Sequence, residues 1–517
     1  MIRSKIFLLF FLCTGLLCQD LNAQRKQSFK LSKPEAQGVS SEGILNFVNA
    51  VEKSKSELHS FMLLRHGKVV AQGWWNPYAP GLKHTLYSCS KSFTATAIGF
   101  AVSEKLVSVN DKVISFFPDQ LPDSISTFLS ELTVKNLLTM SVGQEPDPTG
   151  SVVSNDTNWV RSFLALPILY KPGRKFLYNS LATYTLSAIV QKVTGQKIID
   201  YLKPRLFDPL GITGMDWEID PKGINTGGWG LRLKTEDMAK FAQLFLQKGR
   251  WKGKQILPAA WVEEASTMKI IQHPELEQSK IDASDWEQGY CYQMWRCRHN
   301  AYRGDGAFGQ YMVVMPDQDA VLAITSETPD MQEVLNMTWQ YLLPAMQNDK
   351  LPKNKKSVAT LNKKLVSLAL PLPAKNDILA DTAIAVKKFI FQSNSKLVQS
   401  ISFSLADNIC TVNLATDTAT YALQFANDHW QQATTSRRGP YLVAGAKAVY
   451  AGLPALQTAG MYHWKDKNTL ALTLRYIESP HTEFITCRFE GNTITVDFES
   501  SLNVGGKKVT LKGERQM

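Results

Sequence analysis

A serine, a lysine and a tyrosine in this chain have the types and the spacing that could activate an oxygen nucleophile. Ser88 and Lys91 lie three residues apart in the run SCSK, and Tyr178 opens the run YNS about ninety residues later. A serine hydroxyl is nearly unreactive at neutral pH, so it needs a neighbouring base and a site that stabilises the oxyanion formed when it attacks a carbonyl. These residue types therefore indicate nucleophilic catalysis by serine.

The stretch that follows the serine predicts how the pair is held. Residues 92–104 (SFTATAIGFAVSE) have the alanine content and apolar spacing of a buried helix, with Ser88 in its first turn. Positions i and i+3 share a helix face, so Lys91 should project beside Ser88, where the helix dipole favours an anion. A helix cap plus a surface lysine is the alternative. Residues 393–396 (SNSK) repeat the spacing without the later motifs, and we interpret them as incidental.

Tyr178 is predicted to lie at a loop-to-helix junction. It follows a turn at 171–174 (KPGR) and precedes a predicted helix at 181–195. A phenol there, with its pKa lowered by a lysine ammonium, could take the serine proton and later return it to the leaving group. The alternative is a core tyrosine with a satisfied hydroxyl.

A glycine-rich hairpin forms the third element. The run 304–309 (GDGAFG) leads into an apolar strand, a turn at 316–319 (PDQD) and a second apolar strand. The glycines would let a substrate approach the backbone closely, and an N–H there could supply half of an oxyanion hole. An ordinary hairpin with a glycine bulge is the alternative.

In this order, the three elements resemble those of the β-lactamase-related serine hydrolases, the group that holds class C β-lactamases, D-alanyl-D-alanine peptidases, related esterases and nylon-oligomer hydrolases. Further matches stand at 132–143 (LTVKNLLTMSVG), 207–212 (FDPLGI) and 228–232 (GWGLR). The resemblance implies an α/β fold, with an antiparallel sheet flanked by helices and a helical subdomain. Strands at 61–75 and 310–326 should join that sheet, and the active site should lie where sheet and helical region meet.

The resemblance also implies roles for the three polar residues. Ser88 would be the acyl-forming nucleophile, Lys91 its proton partner, and Tyr178 the general base and then the general acid. No metal and no organic cofactor is implied. The predicted reaction is cleavage of an ester or amide bond in a small-molecule or peptide-like substrate, with esterase or peptidase-type amidase ahead of β-lactamase. The alternative is a catalytically inactive binding or scaffold protein on the same fold.

Two positions depart from the family pattern. Ser180 takes the family's Asn-or-Ser position, where Asn is the more usual residue. The resemblance also implies that the amides of Ser88 and Ala307 would form the oxyanion hole, since Ala307 follows the matching glycine, Gly306. Two residues before that glycine the family usually has Lys or His, whereas this chain has Gly304. In β-lactamases and peptidases the cation helps to hold a substrate carboxylate. Its absence predicts weak β-lactam hydrolysis and is the one feature that favours the inactive alternative.

Other potentially reactive side chains have structural interpretations. His66 is predicted in an exposed hairpin turn, and His84 is interpreted as a structural histidine although it precedes Ser88 by four residues. No histidine pair shows metal-ligand spacing with acidic or cysteine partners, so no metal is predicted. Cys410 and Cys487 fall in predicted strands of one domain and could pair if adjacent.

The N-terminus predicts export. Residues 1–23 combine basic residues, an apolar run and a small residue at the end, which is typical of a signal peptide and indicates a periplasmic or extracellular protein. A lipoprotein anchor at Cys18 is the alternative, disfavoured by the bulky Leu17 before it. The net charge of +11 is dispersed, which favours no nucleic-acid site and at most a loose association with an anionic wall or membrane surface. Oligomeric state is left open.

Length and composition predict two domains. The family resemblance covers 33–349, and a lysine-containing linker is predicted at 350–358. Residues 359–517 contain short strand patterns and turns, which predict an antiparallel β domain, either a sandwich or a barrel. Packing beside the catalytic cleft, binding of a glycan or partner, and stabilisation are its candidate roles.

Overall fold

Two sheets organise the chain in the computed structural model, which describes residues 29–372, 387–502 and 508–516. The predicted signal peptide at 1–23, with Cys18, lies outside the described residues. We call residues 29–372 the first unit and the described residues from 387 onward the second unit.

The strands of the first unit are β1 (Lys30–Leu31), β2 (Glu57–Arg65), β3 (Lys68–Trp74), β4 (His84–Thr85), β5 (Asp216–Trp217), β6 (Leu231–Leu233), β7 (Arg250–Trp251), β8 (Lys254–Gln255), β9 (Trp295–Arg296), β10 (Tyr302–Gly306), β11 (Gln310–Met315) and β12 (Ala320–Glu327). Its helices are α1 (Ser41–Lys53), α2 (Ser90–Ser103), α3 (Thr127–Glu131), α4 (Val134–Leu138), α5 (Thr149–Asn155), α6 (Trp159–Ala165), α7 (Ser180–Thr194), α8 (Ile198–Leu202), α9 (Asp208–Leu210), α10 (Thr235–Leu246), α11 (Ala259–Ser266), α12 (Gln278–Ala283), α13 (Met331–Met337) and α14 (Lys355–Val366). In the described part of the chain, no helix has both the length and the apolar character needed to cross a membrane.

The main sheet of the first unit has the strand order β1-β3-β2-β12-β11-β10-β9. Strand β12 runs antiparallel to β2, with Leu322 opposite Leu63, so the strands predicted at 61–75 and 310–326 do share one sheet. Alternate residues of β11 enter different cores: Met312 packs with the cluster that contains α2 and α10, and Val313 with the cluster that contains α1 and α13. Helices therefore cover both faces, which explains why β11 and β12 are almost wholly apolar.

The strands of the second unit are β13 (Lys388–Phe391), β14 (Val398–Ala406), β15 (Ile409–Thr416), β16 (Thr420–Ala426), β17 (Gln431–Thr435), β18 (Leu456–Asp466), β19 (Thr469–Tyr476), β20 (Thr482–Glu490), β21 (Thr493–Ser500) and β22 (Val509–Arg515). They form one sheet in the order β16-β15-β14-β13-β22-β21-β20-β19-β18-β17, and β16 also pairs with β18. The sheet therefore closes as a barrel rather than forming a sandwich. Cys410 and Cys487 are both buried free thiols, so the possible disulfide is not formed.

The change from one unit to the other comes later than the sequence boundary. Helix α14 begins inside the segment predicted as a linker, 350–358, and its Leu361 is buried in the first unit. Leu368 and Leu370 join the same core, and the second unit begins with β13. The lysines of α14 face solvent while Leu361 packs against the core, so the end of the predicted linker is the first turn of an amphipathic helix.

The two units share apolar packing. Trp430, Met461 and Ile477 of the second unit belong to the core cluster that contains Phe61 of strand β2. A bidentate ion pair adds to the contact, because the Arg475 guanidinium donates to both carboxylate oxygens of Glu57 at 2.6 and 3.0 Å. The second unit thus packs directly against the unit that carries the candidate nucleophile.

Candidate active site

Ser88 lies in a tight turn, Tyr87–Cys89, that leads directly into helix α2. The turn is fixed on both sides by strand β6: Leu86 N donates to Leu231 O at 3.0 Å, and Leu231 N donates to Ser90 Oγ at 3.2 Å. The helix begins two residues earlier than the sequence pattern indicated. Ser88 therefore sits at the helix entrance, as predicted, on a backbone held by neighbouring strands.

Lys91 projects from the first turn of α2 and is almost wholly buried, with 2% of its surface exposed. Its Nζ lies 3.2 Å from Ser88 Oγ, 3.0 Å from Ser180 Oγ and 2.7 Å from Gly228 O. Sequence reasoning selected Ser180 but assigned no contact to Gly228, although that residue lies in one of the matching motifs. A neutral amine in this position can donate to two of these oxygens, one of them the Gly228 carbonyl, and can accept a hydrogen bond from the remaining serine hydroxyl.

The environment of Lys91 favours the neutral amine. Burial lowers the pKa of the Lys91 ammonium to about 7, while the charges of Asp147 and Asp305 oppose that change. Desolvation outweighs the two carboxylates because a buried ammonium loses most of its hydration. At neutral pH a large fraction of Lys91 can therefore accept a proton from Ser88.

Tyr178 lies just before helix α7 and reaches the same serine. Its side chain interacts with that of Ser88, and its ring lies 5.0 Å from Lys91 Nζ. The next residue, Asn179, caps α7 by accepting a hydrogen bond from Ala182 N at 3.2 Å. The helix cap therefore fixes where the phenol points.

The predicted lowering of the Tyr178 pKa is wrong. Burial raises that pKa well above its ordinary value, and the charge of Asp305 adds to the increase. The sequence placed a lysine nearby but did not reveal how dry the pocket is, and the desolvation effect dominates. Tyr178 is thus a neutral phenol in the resting site, and Lys91 is the group with the pKa of a base.

Gly306, at the end of strand β10, lies against the nucleophile turn. A Cβ at this position would be 2.1 Å from Leu86 O and 3.2 Å from Cys89 N, so only glycine fits. Ala307 follows immediately, and its carbonyl accepts a hydrogen bond from Gln310 Nε2 at 3.1 Å. The structure therefore places Gly306 against the turn that carries Ser88, with Ala307 next to it in the chain.

Strand β10 carries the carboxylate of Asp305 directly after Gly304, the position at which the family usually has a cation. Gly304 faces the helix side, where a Cβ would meet Ser92 Oγ at 2.8 Å, and Arg303 is on the other face of the strand. The Arg303 Nε donates to Asp305 Oδ2 at 3.0 Å, and Nη1 donates to Asp285 O at 2.8 Å. The guanidinium is thus already occupied. Sequence reasoning did not select Asp305, whose charge acts on both Lys91 and Tyr178.

Four aromatic residues, Trp229, Tyr290, Tyr292 and Trp295, are candidates for lining the cleft, and they divide into two groups. Trp295 stacks on Tyr178 with ring centroids 5.9 Å apart, and Tyr290 packs edge-on against Trp295 at 4.8 Å. Trp229 and Tyr292 pack instead against other core tryptophans. Trp295 is therefore the aromatic that directly supports the site.

Neither histidine singled out in the sequence contributes to this site. Buried His84 hydrogen-bonds His59 Nδ1 and Thr85 O, each at 3.0 Å. His66 lies in the turn between β2 and β3 and pairs with Asp319 at 2.8 Å. Within the ranges that the structure describes, no group of three or more His, Cys, Asp or Glu side chains is placed to hold a metal ion.

The pKa of Lys91 gives a pH prediction. The rate at which a fluorophosphonate reacts with Ser88 should rise with pH around a midpoint of about 7, because Lys91 must lose its proton before it can accept another. Asp147→Asn removes a charge that raises this pKa, so the midpoint should fall by a few tenths of a unit. Asp123→Asn, an exposed control, should leave it unchanged. A wild-type midpoint near the ordinary lysine pKa of 10.5 would contradict the assignment.

Comparisons with known proteins point to one family. The family model described as Beta-lactamase matches residues 51–345. The 6-aminohexanoate-dimer hydrolase of Paenarthrobacter ureafaciens is 25% identical over 289 residues, which cover 52% of this chain and 73% of that protein. An Escherichia coli (strain K12) protein with the provisional name D-alanyl-D-alanine carboxypeptidase is 27% identical over 143 residues, covering 25% of this chain and 33% of that protein.

A solved structure shows the same fold. A Bacillus anthracis protein with the provisional name 6-aminohexanoate-dimer hydrolase superimposes with a TM-score of 0.50 at 21% identity, over 63% of this chain and 88% of that chain. The residues matched by the family model include Ser88, Lys91 and Tyr178.

Proposed function

Because the chain belongs to the Beta-lactamase family and is a serine hydrolase, we propose that Ser88 attacks the carbonyl of an ester or amide and forms an acyl-serine intermediate. One observation carries this proposal: the buried Lys91 amine lies 3.2 Å from Ser88 Oγ and has a pKa of about 7. A serine hydroxyl reacts at neutral pH when a neighbouring base has a pKa near that pH and can accept its proton.

Acylation follows from the contacts of Ser88. Neutral Lys91 takes the Oγ proton as the Oγ–carbon bond forms, and the carbonyl electrons move onto oxygen. The amides of Ser88 and Ala307 stabilise that oxyanion. When the carbon–leaving-group bond breaks, Tyr178 and the Lys91 ammonium are the proton donors beside the departing alcohol or amine. Water then attacks the acyl group, with neutral Lys91 or the Tyr178 oxygen positioned to receive its proton.

The charge of the cleft limits the substrate class. Gly304 offers no cation to a substrate carboxylate, Arg303 is occupied by Asp305, and the exposed Asp147 adds a second negative charge near Lys91. An anion next to the scissile bond would be repelled at such a site. The proposed substrates are therefore esters or amides without a carboxylate beside the reacting carbonyl, and β-lactams are disfavoured.

Covalent labelling tests the proposal. The full-length protein is incubated with a fluorescent fluorophosphonate and, separately, with a fluorescent penicillin, and any label is located by peptide mass. We expect the fluorophosphonate to label Ser88 and the penicillin to label it at least about tenfold more slowly. The reason is that the site lacks the cation that would hold the penicillin carboxylate. Ser88→Ala should abolish labelling, whereas Ser393→Ala, in the exposed SNSK turn, should not change it.

The labelling outcomes separate the candidate functions. Label from the fluorophosphonate alone supports ester or non-β-lactam amide hydrolysis. Equal label from both reagents indicates a peptidase or β-lactamase. No label from either reagent on folded protein refutes the activated serine and favours the inactive binding or scaffold protein.

A further inference from the structure

A loop of the second unit lies directly behind the nucleophile turn. Residues 477–481, between strands β19 and β20, are buried against the first unit. Glu478 O accepts hydrogen bonds from Thr85 N at 2.9 Å and from Thr85 Oγ1 at 3.1 Å. Glu478 Oε2 also accepts from Arg232 Nη1 at 3.4 Å. The loop is therefore bonded to the chain three residues before Ser88 and to strand β6, which anchors the turn.

His481, at the end of this loop, joins two segments of the first unit. Its Nδ1 lies 2.7 Å from Glu327 Oε1, and its Nε2 lies 2.5 Å from the hydroxyl of Tyr87. The Glu327 carboxylate can only accept, so Nδ1 carries the proton and Nε2 accepts from the Tyr87 hydroxyl. The imidazole has no exposed surface. A single tautomer with both nitrogens occupied fixes the ring and, through it, the tyrosine.

The residues that His481 contacts flank the reacting groups. Tyr87 directly precedes Ser88 and has φ of 46°, and Phe308 directly follows Ala307 and has φ of 67°. Bulky side chains rarely adopt this left-handed conformation, so surrounding contacts must hold both residues in it. The Phe308 ring packs edge-on against His481 with centroids 4.8 Å apart, and it lies 5.6 Å from the Tyr87 ring.

We propose that His481 is a positioning residue for the oxyanion hole, and that the second unit is for this reason part of the active site. By holding Tyr87 and Phe308 in left-handed conformations, His481 sets where the amides of Ser88 and Ala307 point. Small displacements of such amides have large effects on the transition state. The inference rests on the proposed acyl-serine function, since it assigns a task to residues beside that nucleophile.

Variants of the contact test the inference in the full-length protein. His481→Phe keeps a ring against Phe308 and removes both hydrogen bonds. Tyr87→Phe removes the bond to Nε2 and the 3.4 Å bond that the Tyr87 hydroxyl accepts from Leu442 N. Each should lower the maximal rate of fluorophosphonate labelling about tenfold or more, with little change in the half-saturating concentration. The double variant should lose clearly less than the product of the two single losses, because both changes break the contact between Tyr87 and His481. His481→Gln retains hydrogen-bonding groups and should recover part of the rate.

The controls separate positioning from stability. His429→Phe, an exposed histidine of the second unit, should leave labelling unchanged, and melting temperatures show how much folded protein each variant retains. Unchanged maximal rates in folded His481→Phe and Tyr87→Phe would overturn the inference while leaving the proposed function intact. If His481→Phe does not fold, Tyr87→Phe and His481→Gln decide in the same way. An unlabelled wild-type protein would instead refute the proposed function, and the inference with it.

Discussion

Replacing Lys91 with methionine should abolish labelling of Ser88 and, at the same time, raise the stability of the folded protein. The rate should fall by about 10³-fold or more, because the serine loses its base. The lysine has an ordinary pKa of 10.5 when the chain is unfolded and about 7 when it is buried. Between these values the unfolded chain binds more protons, so burial of the lysine costs stability, and the cost decreases as pH rises.

Methionine has a similar length and no charge, so it removes this cost but also removes the bonds to Ser88, Ser180 and Gly228 O. We expect a net gain of about 1–2 kcal/mol at pH 7 once those lost bonds are subtracted. The gain should be largest below pH 7. Above pH 7 the lysine cost falls by about 1.4 kcal/mol per pH unit, so the gain should vanish roughly one unit above pH 7 and become a loss as pH approaches 10.5. Melting temperatures across this range measure it, with the exposed Lys55→Met as the control. Persistent labelling, or destabilisation at every pH, would show that Lys91 is not a buried base.

Gly306→Ala should damage both stability and catalysis. The new Cβ would stand 2.1 Å from Leu86 O, two residues before Ser88, so the backbone of strand β10 or of the nucleophile turn must move. We expect about 2–4 kcal/mol of destabilisation and a labelling rate about 10²-fold lower in the protein that remains folded. Melting temperature and active-site labelling measure the two effects separately.

Gly460→Ala is the matched control for this variant. Its Cβ would also lie 2.1 Å from a backbone oxygen, that of Gln424, in the sheet of the second unit. The steric cost is therefore similar, but no reacting group is nearby. Gly460→Ala should lose stability and keep the labelling rate of its folded fraction. Equal rate losses in both variants would mean that the effect of Gly306 is general destabilisation.

The sequence predicted which polar residues meet but not the environment they meet in. Ser88, Lys91, Tyr178 and Ser180 come together because each precedes or opens a helix whose periodicity and turns are visible in the chain. The direction of the Tyr178 pKa could not be read in the same way, since it depends on desolvation by side chains from several elements. Local sequence patterns predict where a residue lies relative to a helix, whereas its burial depends on how all the elements pack together.

Long-range pairings were the other source of error. The barrel strands β17, β18 and β22 are not predicted from the sequence; β17 and β22 contain few apolar residues and so show no apolar pattern of their own. The contact between Tyr87 and His481 joins residues 394 positions apart, and no spacing rule reaches that far. Sequence reasoning therefore placed packing beside the cleft among the roles of the second unit but could not name the residues.

The apolar packing between the two units limits how such a chain can evolve. Trp430, Met461 and Ile477 complete a core that begins in the first unit. A gene fusion that exchanged the barrel for an unrelated domain would leave that core open to water, and a shortened gene would do the same. Loss or exchange of the second unit should therefore destabilise the first unit as well, because part of its core would be exposed.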